Sequence, residues 1–166
     1  MLIENDLGEF WDGTALTAGT TASEILDLAQ ARHQVGVGNE LWLWLRTNVA
    51  AHFTDETTES YLFAFIVDTA EAMATTPRAV IVIADHDGSA IVTADAESTP
   101  LKTAGKTIFA GTLPYNANWR YGKWVAILAN GTGTASITLD ACLLAGPPPA
   151  NAADSQIYVS NITVPS

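Results

Sequence analysis

Apolar and polar residues alternate in several short segments of the chain, a pattern that predicts β-strands rather than helices. The clearest segment is 40–46, where leucines occupy one face of the strand and Trp42 and Trp44 occupy the other. Segments 61–67 and 79–83 are similar runs of aromatic and β-branched residues. Because these strands are apolar on both faces, an antiparallel sheet built from them needs a cover on its outer side.

Further strands are predicted at residues 14–27 (one or two strands divided near Gly19), 106–113, 120–129, 134–144 and 156–164. The sequence NGTG at residues 130–133 predicts a hairpin connection between two of them. Only residues 71–73 suggest a helical period, and they are too few to form a helix. With about eight to ten short strands, the chain is expected to be all-β, as an antiparallel β-sandwich or jelly roll.

The pattern divides the chain into three parts. Residues 1–13 mix apolar and acidic positions, which predicts an N-terminal arm that is ordered by contact with another surface. Residues 14–145 are expected to form the jelly-roll β domain. Residues 146–166 begin with Gly-Pro-Pro-Pro, which predicts a stiff extended spacer before a terminal strand. That strand either folds back onto its own sheet or pairs with a neighbouring subunit.

Charge and composition narrow the choice of partners. The 166 residues are enough for one domain, and the net charge of −11 disfavours nucleic acid and anionic membranes as partners. Charged residues make up only 15% of the chain, against about 25% in an average soluble protein, so part of the apolar surplus is expected in an interface. Neither a membrane span nor a secretory leader is recognisable, and we expect synthesis in the cytoplasm.

Residues that carry catalytic or metal-binding chemistry are few and scattered. His33, His52 and His86 lack the spacing of a metal site. Residues 85–88, Asp-His-Asp-Gly, begin like a calcium loop but lack its later ligands, so a turn between strands is favoured. The acids within residues 55–59 predict a solvated acidic loop. We therefore nominate no catalytic, metal-binding or cofactor-binding residue, and we expect neither a cofactor nor an enzymatic activity.

Large aromatic residues are the unusual part of the composition, with five tryptophans in the chain. Trp124 is expected in the core, whereas Trp42 and Trp44 are expected in an interface, because leucines already fill the opposite face of their strand. Arg120 is expected either to bind a carboxylate and pack on an aromatic ring, or to remain a solvated rim residue. Cys142 is expected to be a small buried hydrophobe. The candidate interface residues are Leu7, Phe10, Trp11, Trp42, Trp44, Tyr61, Phe63, Phe65, Trp119, Arg120 and Tyr121.

Several short patches, taken in order, resemble a known family. They are Asp12 at the end of the arm, residues 15–23, residues 25–28, Gly36-Val37-Gly38 before the strand at Leu41, Ala104-Gly105, Leu113-Pro114 and Arg120-Tyr121. In this order they resemble the jelly-roll capsid cement, or head decoration, proteins of tailed bacteriophages. The resemblance covers most of residues 10–145.

The resemblance implies a non-enzymatic structural protein of the virion. Such a protein binds the outer surface of the phage head as a homotrimer and cements neighbouring subunits of the major capsid protein, without a cofactor, nucleic acid or membrane. Two other functions stay open from the residues. The first is a carbohydrate- or receptor-binding module of a phage particle, with Trp42, Trp44 or Trp119 as a stacking platform. The second is a glycoside hydrolase of jelly-roll fold, whose acid and base the chain does not reveal.

Overall fold

A computed structural model describes residues 6–36, 39–52, 59–85, 87–92, 98–129, 135–148 and 159–162. Within these residues the chain forms ten β-strands and one short helix. In chain order they are β1 (Asp6–Thr17), β2 (Gly19–Ala22), β3 (Leu26–Asp27), α1 (Leu28–Val35), β4 (Leu41–His52), β5 (Ser60–Asp68), β6 (Arg78–Ile83), β7 (Thr107–Leu113), β8 (Tyr121–Ala129), β9 (Ser136–Leu144) and β10 (Val159–Ile162).

The strands form two antiparallel sheets that pack face to face. The four-stranded sheet has the order β1-β9-β4-β7, and the six-stranded sheet has the order β10-β6-β5-β8-β2, with β3 also paired to β8. Consecutive strands lie in different sheets at every step except from β2 to β3 and from β5 to β6. This is a β-sandwich with jelly-roll-like connections, and the predicted fold class is confirmed.

The core lies between the two sheets and is filled by the alternate residues that face inward. Leu41, Leu43 and Leu45 of β4 are fully buried there, as the alternation in residues 40–46 predicts. The ring of Phe65 on β5 meets the ring of Trp124 on β8 edge to face, with centroids 5.2 Å apart. The expected core position of Trp124 is therefore confirmed.

Residues 6–13 are the first part of strand β1, which corrects the prediction of an arm. β1 pairs with β9 from Asp6 to Thr17, with three register shifts along the way. One shift falls between Glu9 and Trp11, so that the consecutive side chains of Phe10 and Trp11 are both buried, at 2% and 4% exposure. The apolar residues of this segment therefore pack within their own domain.

The connection between β8 and β9 crosses from one sheet to the other, which corrects the predicted hairpin. β8 is an interior strand paired with β5 and β2, and β9 is an interior strand paired with β1 and β4. Each strand already has two neighbours, so the two cannot pair with each other. Residues 130–133, where the hairpin turn was predicted, lie outside the described part of the chain.

A two-turn helix follows β3, although no helix is predicted there. The Asp27 carboxylate caps it by accepting hydrogen bonds from the backbone N–H groups of Ala29 and Gln30, at 3.0 and 3.1 Å. Leu28 is buried on the helix face that contacts β8. With eight residues, α1 is too short to show a recognisable helical period in the sequence. Residues 71–73, which alone suggested a helical period, lie in a turn.

The last described strand, β10, folds back onto the six-stranded sheet of its own chain. It pairs antiparallel with β6, with Val159 opposite Ile83 and Ile162 opposite Ile81. Of the two pairings that the sequence leaves open, the intramolecular one is therefore observed.

Candidate functional site

Most of the predicted interface residues are buried in the core. Phe10, Trp11, Tyr61, Phe63, Phe65 and Trp119 all belong to one buried cluster between the sheets. Trp44 is also buried, while Leu7, Trp42 and Tyr121 are partly buried and Arg120 is exposed. The aromatic side of β5 thus faces the core, and the opposite side of that strand faces outward.

Tyr61 ties the two sheets together across the core. Its hydroxyl lies 3.0 Å from the backbone oxygen of His52 on β4, to which it donates, and it accepts a hydrogen bond of 3.2 Å from the N–H of Ser136 on β9. Burial raises the pKa of Tyr61 to about 12, although the hydrogen bond with Ser136 opposes this rise. The role of Tyr61 is structural, because it joins β5 to two strands of the opposite sheet.

The outer side of the four-stranded sheet carries a second, smaller apolar cluster. Trp44, Cys142 and Leu144 are buried together there, with Trp42 and Ala110 packed against them. The indole N–H of Trp44 donates to the hydroxyl of Thr107 over 3.0 Å. Cys142 is buried and takes no part in a disulfide, as expected.

An ion pair lies beside this cluster on the same side of the sheet. Two guanidinium nitrogens of Arg46 donate to one carboxylate oxygen of Asp140, at 2.9 and 2.7 Å. The other oxygen accepts from Asn48 at 3.0 Å and from the N–H of Gly13 at 2.7 Å. Burial alone would raise the pKa of Asp140, but the bonds from Asn48, Arg46 and Gly13 outweigh it and hold the pKa below its ordinary value.

Arg120 makes both contacts that its sequence neighbourhood suggests. Its guanidinium pairs with the carboxylate of Asp27 at 3.2 Å and lies 5.2 Å from the ring centroid of Tyr121. Its side chain is nevertheless mostly exposed. The backbone N–H of Arg120 donates to the carbonyl of Asp68, which positions the start of β8 against the end of β5.

The outer side of the six-stranded sheet carries a stripe of apolar residues that the sequence does not single out. Leu62 lies opposite Ile127, and Ala64 lies opposite Val125 on one side and Val82 on the other. Ile127 is 44% exposed, and most of the others are partly exposed. We call this stripe the outer apolar face: Leu62, Ala64, Ile66, Val82, Val125 and Ile127.

The strands of this face are almost free of negative charge. Asp68 is the only acidic residue within β2, β5, β6 and β8, against eighteen acids in the whole chain. Asp68 is 1% exposed, and its carboxylate accepts hydrogen bonds from the N–H groups of Thr69, Ala70, Thr75 and Thr76. Of the two basic residues of these strands, Lys123 lies opposite Ile66 on the outer side, whereas Arg78 lies opposite the inward-facing Val67. The outer side of these strands is therefore apolar with one positive charge.

An open cleft of about 360 Å³ lies where the edges of β1 and β2 meet. Its lining includes the acidic residues Glu9, Asp12 and Glu24 together with Phe10 and Trp11. Among the residues that the structure describes, no three His, Cys, Asp or Glu side chains are grouped to hold a metal ion.

Two polar segments were predicted from the sequence: a turn at residues 85–88 and a solvated acidic loop within residues 55–59. Asp85 and residues 87–89 show the hydrogen bonds of the predicted turn: the N–H of Gly88 donates to the carbonyl of Asp85, and the N–H of Ser89 donates to the Asp87 carboxylate, both at 2.8 Å. The predicted solvated acidic loop is only partly described, and Glu59 at its end is buried rather than solvated. His86 and residues 53–58 lie outside the described part of the chain.

Comparisons with protein families, with curated proteins and with solved structures found no match to this chain. No helix in the described ranges is long and apolar enough to cross a membrane.

Proposed function

We propose that this chain is a non-enzymatic structural protein of a phage particle. It attaches to the outer surface of the head as a homotrimer and cements neighbouring subunits of the major capsid protein. Three observations support the proposal: the resemblance to head decoration proteins, the jelly-roll-like sandwich, and the outer apolar face. The outer apolar face is the main support, because its partly exposed apolar residues are suited to contact with another protein.

Contiguous apolar surface is the property that makes this face suitable for binding. Leu62, Val125 and Ile127 are neighbours across β5 and β8, whose backbones are held in register by nine paired positions. Covering the exposed part of Ile127 alone contributes on the order of 2 kcal/mol at about 25 cal/mol per Å². A rigid sheet presents such residues without a cost in loop ordering, which favours binding.

Charge supports attachment to a basic or neutral surface. Of the eighteen acidic residues, all except the buried Asp68 lie outside the strands of the outer apolar face. Acidic residues around an interface attract a basic partner during the encounter. At physiological ionic strength, salt screens this attraction at distances beyond about 8–10 Å. Attachment is therefore expected to weaken as the salt concentration rises.

Most of the tryptophans predicted to stack on a carbohydrate are buried. Trp44 and Trp119 are buried, and only Trp42 among the three is partly exposed. A stacking platform requires exposed ring faces. We therefore propose no second function.

The test first looks for a major capsid gene beside the gene of this chain, and it uses empty heads assembled from the product of that gene. Purified chain is mixed with undecorated heads, sedimented, and the bound protein is quantified at low and high salt. We expect saturable binding that weakens with salt, together with a higher melting temperature of the heads. A glycan array is run in parallel. Specific sugar binding without head binding would overturn the proposal, as would the absence of any head-bound protein at low salt.

A further inference from the structure

We infer that the outer apolar face is the surface through which one copy of this chain binds a second copy. The inference deepens the proposed function and rests on it for the existence of a subunit contact in a trimer.

Exposure shows that the face has no cover within the described residues of the chain. Ile127 lies on the interior strand β8, between β5 and the edge strand β2, and is 44% exposed. Its neighbours Leu62 and Val125 are also partly exposed. In contrast, the apolar cluster on the outer side of the four-stranded sheet is buried around Trp44. Trp42 and Val49 also keep exposed surface on that side, but Leu62, Val125 and Ile127 are directly neighbouring residues across β5 and β8 that are all partly exposed.

Charge indicates that a second copy can occupy this face. Each copy has a net charge of −11, so most contacts between two copies would bring carboxylates together. The strands of the outer apolar face instead contribute Lys123 and no exposed acid to that side of the sheet. The face of one copy is therefore complementary to the acidic remainder of the next. A contact between two different surfaces is heterologous, and three such contacts can close into a ring.

The size of the face predicts the strength of the contact. With strands about 4.8 Å apart and a rise of about 3.3 Å per residue, β2, β5, β6 and β8 offer a flat area of roughly 450 Å². A standard interface buries about 800 Å² on each partner, so this contact belongs to the weaker class. We therefore expect an oligomer that dissociates on dilution.

Sedimentation velocity over a wide range of protein concentration tests the inference. The wild-type chain is expected to shift from 17.5 kDa towards a multiple of that mass as its concentration rises. Ile127→Glu should weaken self-association at least about tenfold, because it places a charge in the contact. Ile127→Thr, a milder change at the same exposed position, should weaken it less. Lys123→Glu should also weaken it, because it places an acid opposite the acidic surface of the next copy.

Val49→Glu is the matched control. Val49 is 56% exposed on β4, in the other sheet, so the same change in charge is made at an exposed apolar residue outside the face. A monomeric wild-type chain at every concentration would overturn the inference. So would unchanged self-association in both Ile127 variants, or an equal loss in Val49→Glu. Thermal melts of each variant confirm that the compared proteins are folded.

Head binding, measured on the same samples, separates this inference from the proposed function. If the wild-type chain binds heads but remains monomeric in solution and on the head, attachment stands and the inference fails. If it self-associates through Ile127 but never binds heads, the inference stands and the proposed function fails.

Discussion

Arg46 and Asp140 lie 94 positions apart in the chain and form an ion pair of 2.7 Å on the outer side of the four-stranded sheet. The pair links β4 to β9 at directly opposed positions of the ladder. Asp140 also accepts the N–H of Gly13, whose φ of +54° is a conformation that glycine adopts readily. One carboxylate thus connects three neighbouring strands.

Replacing Asp140 by alanine is expected to destabilise the fold by about 3 kcal/mol, because it leaves the partly buried Arg46 without its partner. Urea unfolding measures the change. The double variant Arg46→Met/Asp140→Leu should recover much of the loss, since no unpaired charge remains. A loss below about 0.5 kcal/mol in Asp140→Ala would show that the ion pair is unimportant.

Asp68 is expected to make the protein sensitive to acid. Burial tends to raise its pKa, but four backbone N–H groups of residues 69–76 outweigh burial and lower the pKa from 3.8 to about 2. The unfolded state therefore takes up the proton first as the pH falls. The stabilisation is complete above about pH 4 and is lost between about pH 4 and pH 2.

Urea unfolding at a series of pH values between 2 and 6 measures this loss. Asp68→Asn should be less stable at neutral pH and should lose less stability on acidification than the wild type. Asp12→Asn removes one exposed acid and serves as the control for net charge. An acid transition that is the same in Asp68→Asn and the wild type would contradict the assignment.

Tyr61→Phe removes the hydroxyl that joins β5 to His52 and Ser136 and keeps the buried ring. We expect a loss of about 1–2 kcal/mol, which is the cost of leaving buried backbone groups without this partner. Tyr115→Phe is the matched control, because Tyr115 is 73% exposed, and it should change stability little. Equal effects of the two substitutions would argue against the cross-sheet role of Tyr61.

Deleting residues 2–11 is expected to lower the melting temperature markedly. The deletion removes Phe10 and Trp11 from the core and leaves part of β9 without its neighbour β1. Phe10→Ala alone should cost about 3–5 kcal/mol, since the ring packs edge to face against Phe65. Circular dichroism melts test both changes. A truncated chain that melts like the wild type would instead support a detachable arm.

Local alternation in the sequence determines where most strands lie. The strands predicted at residues 106–113 and 120–129 are observed as Thr107–Leu113 and Tyr121–Ala129. A period of two residues is visible within a single strand, so no tertiary contact is needed to recognise it. The all-β class follows from the number and spacing of such strands.

Only the tertiary structure decides which side of a strand faces the core. On β5 both sides are apolar, and the sequence does not show that Tyr61, Phe63 and Phe65 point inward while Leu62 and Ile66 point outward. The choice depends on packing against the opposite sheet, where the large rings fill space that the smaller side chains would leave empty. The candidate site therefore shifts from the aromatic side of β5 to its aliphatic side.

Contacts between distant positions are also decided only by the fold. The bulge before Trp11 breaks the alternation that would otherwise have identified β1, and it depends on pairing with β9. The partners of Asp140 come from positions 13, 46 and 48, which no local pattern connects. A local sequence pattern records the side-chain period of one strand, whereas strand order, bulges and ion pairs arise from the competition of all strands for partners and for a place in the core.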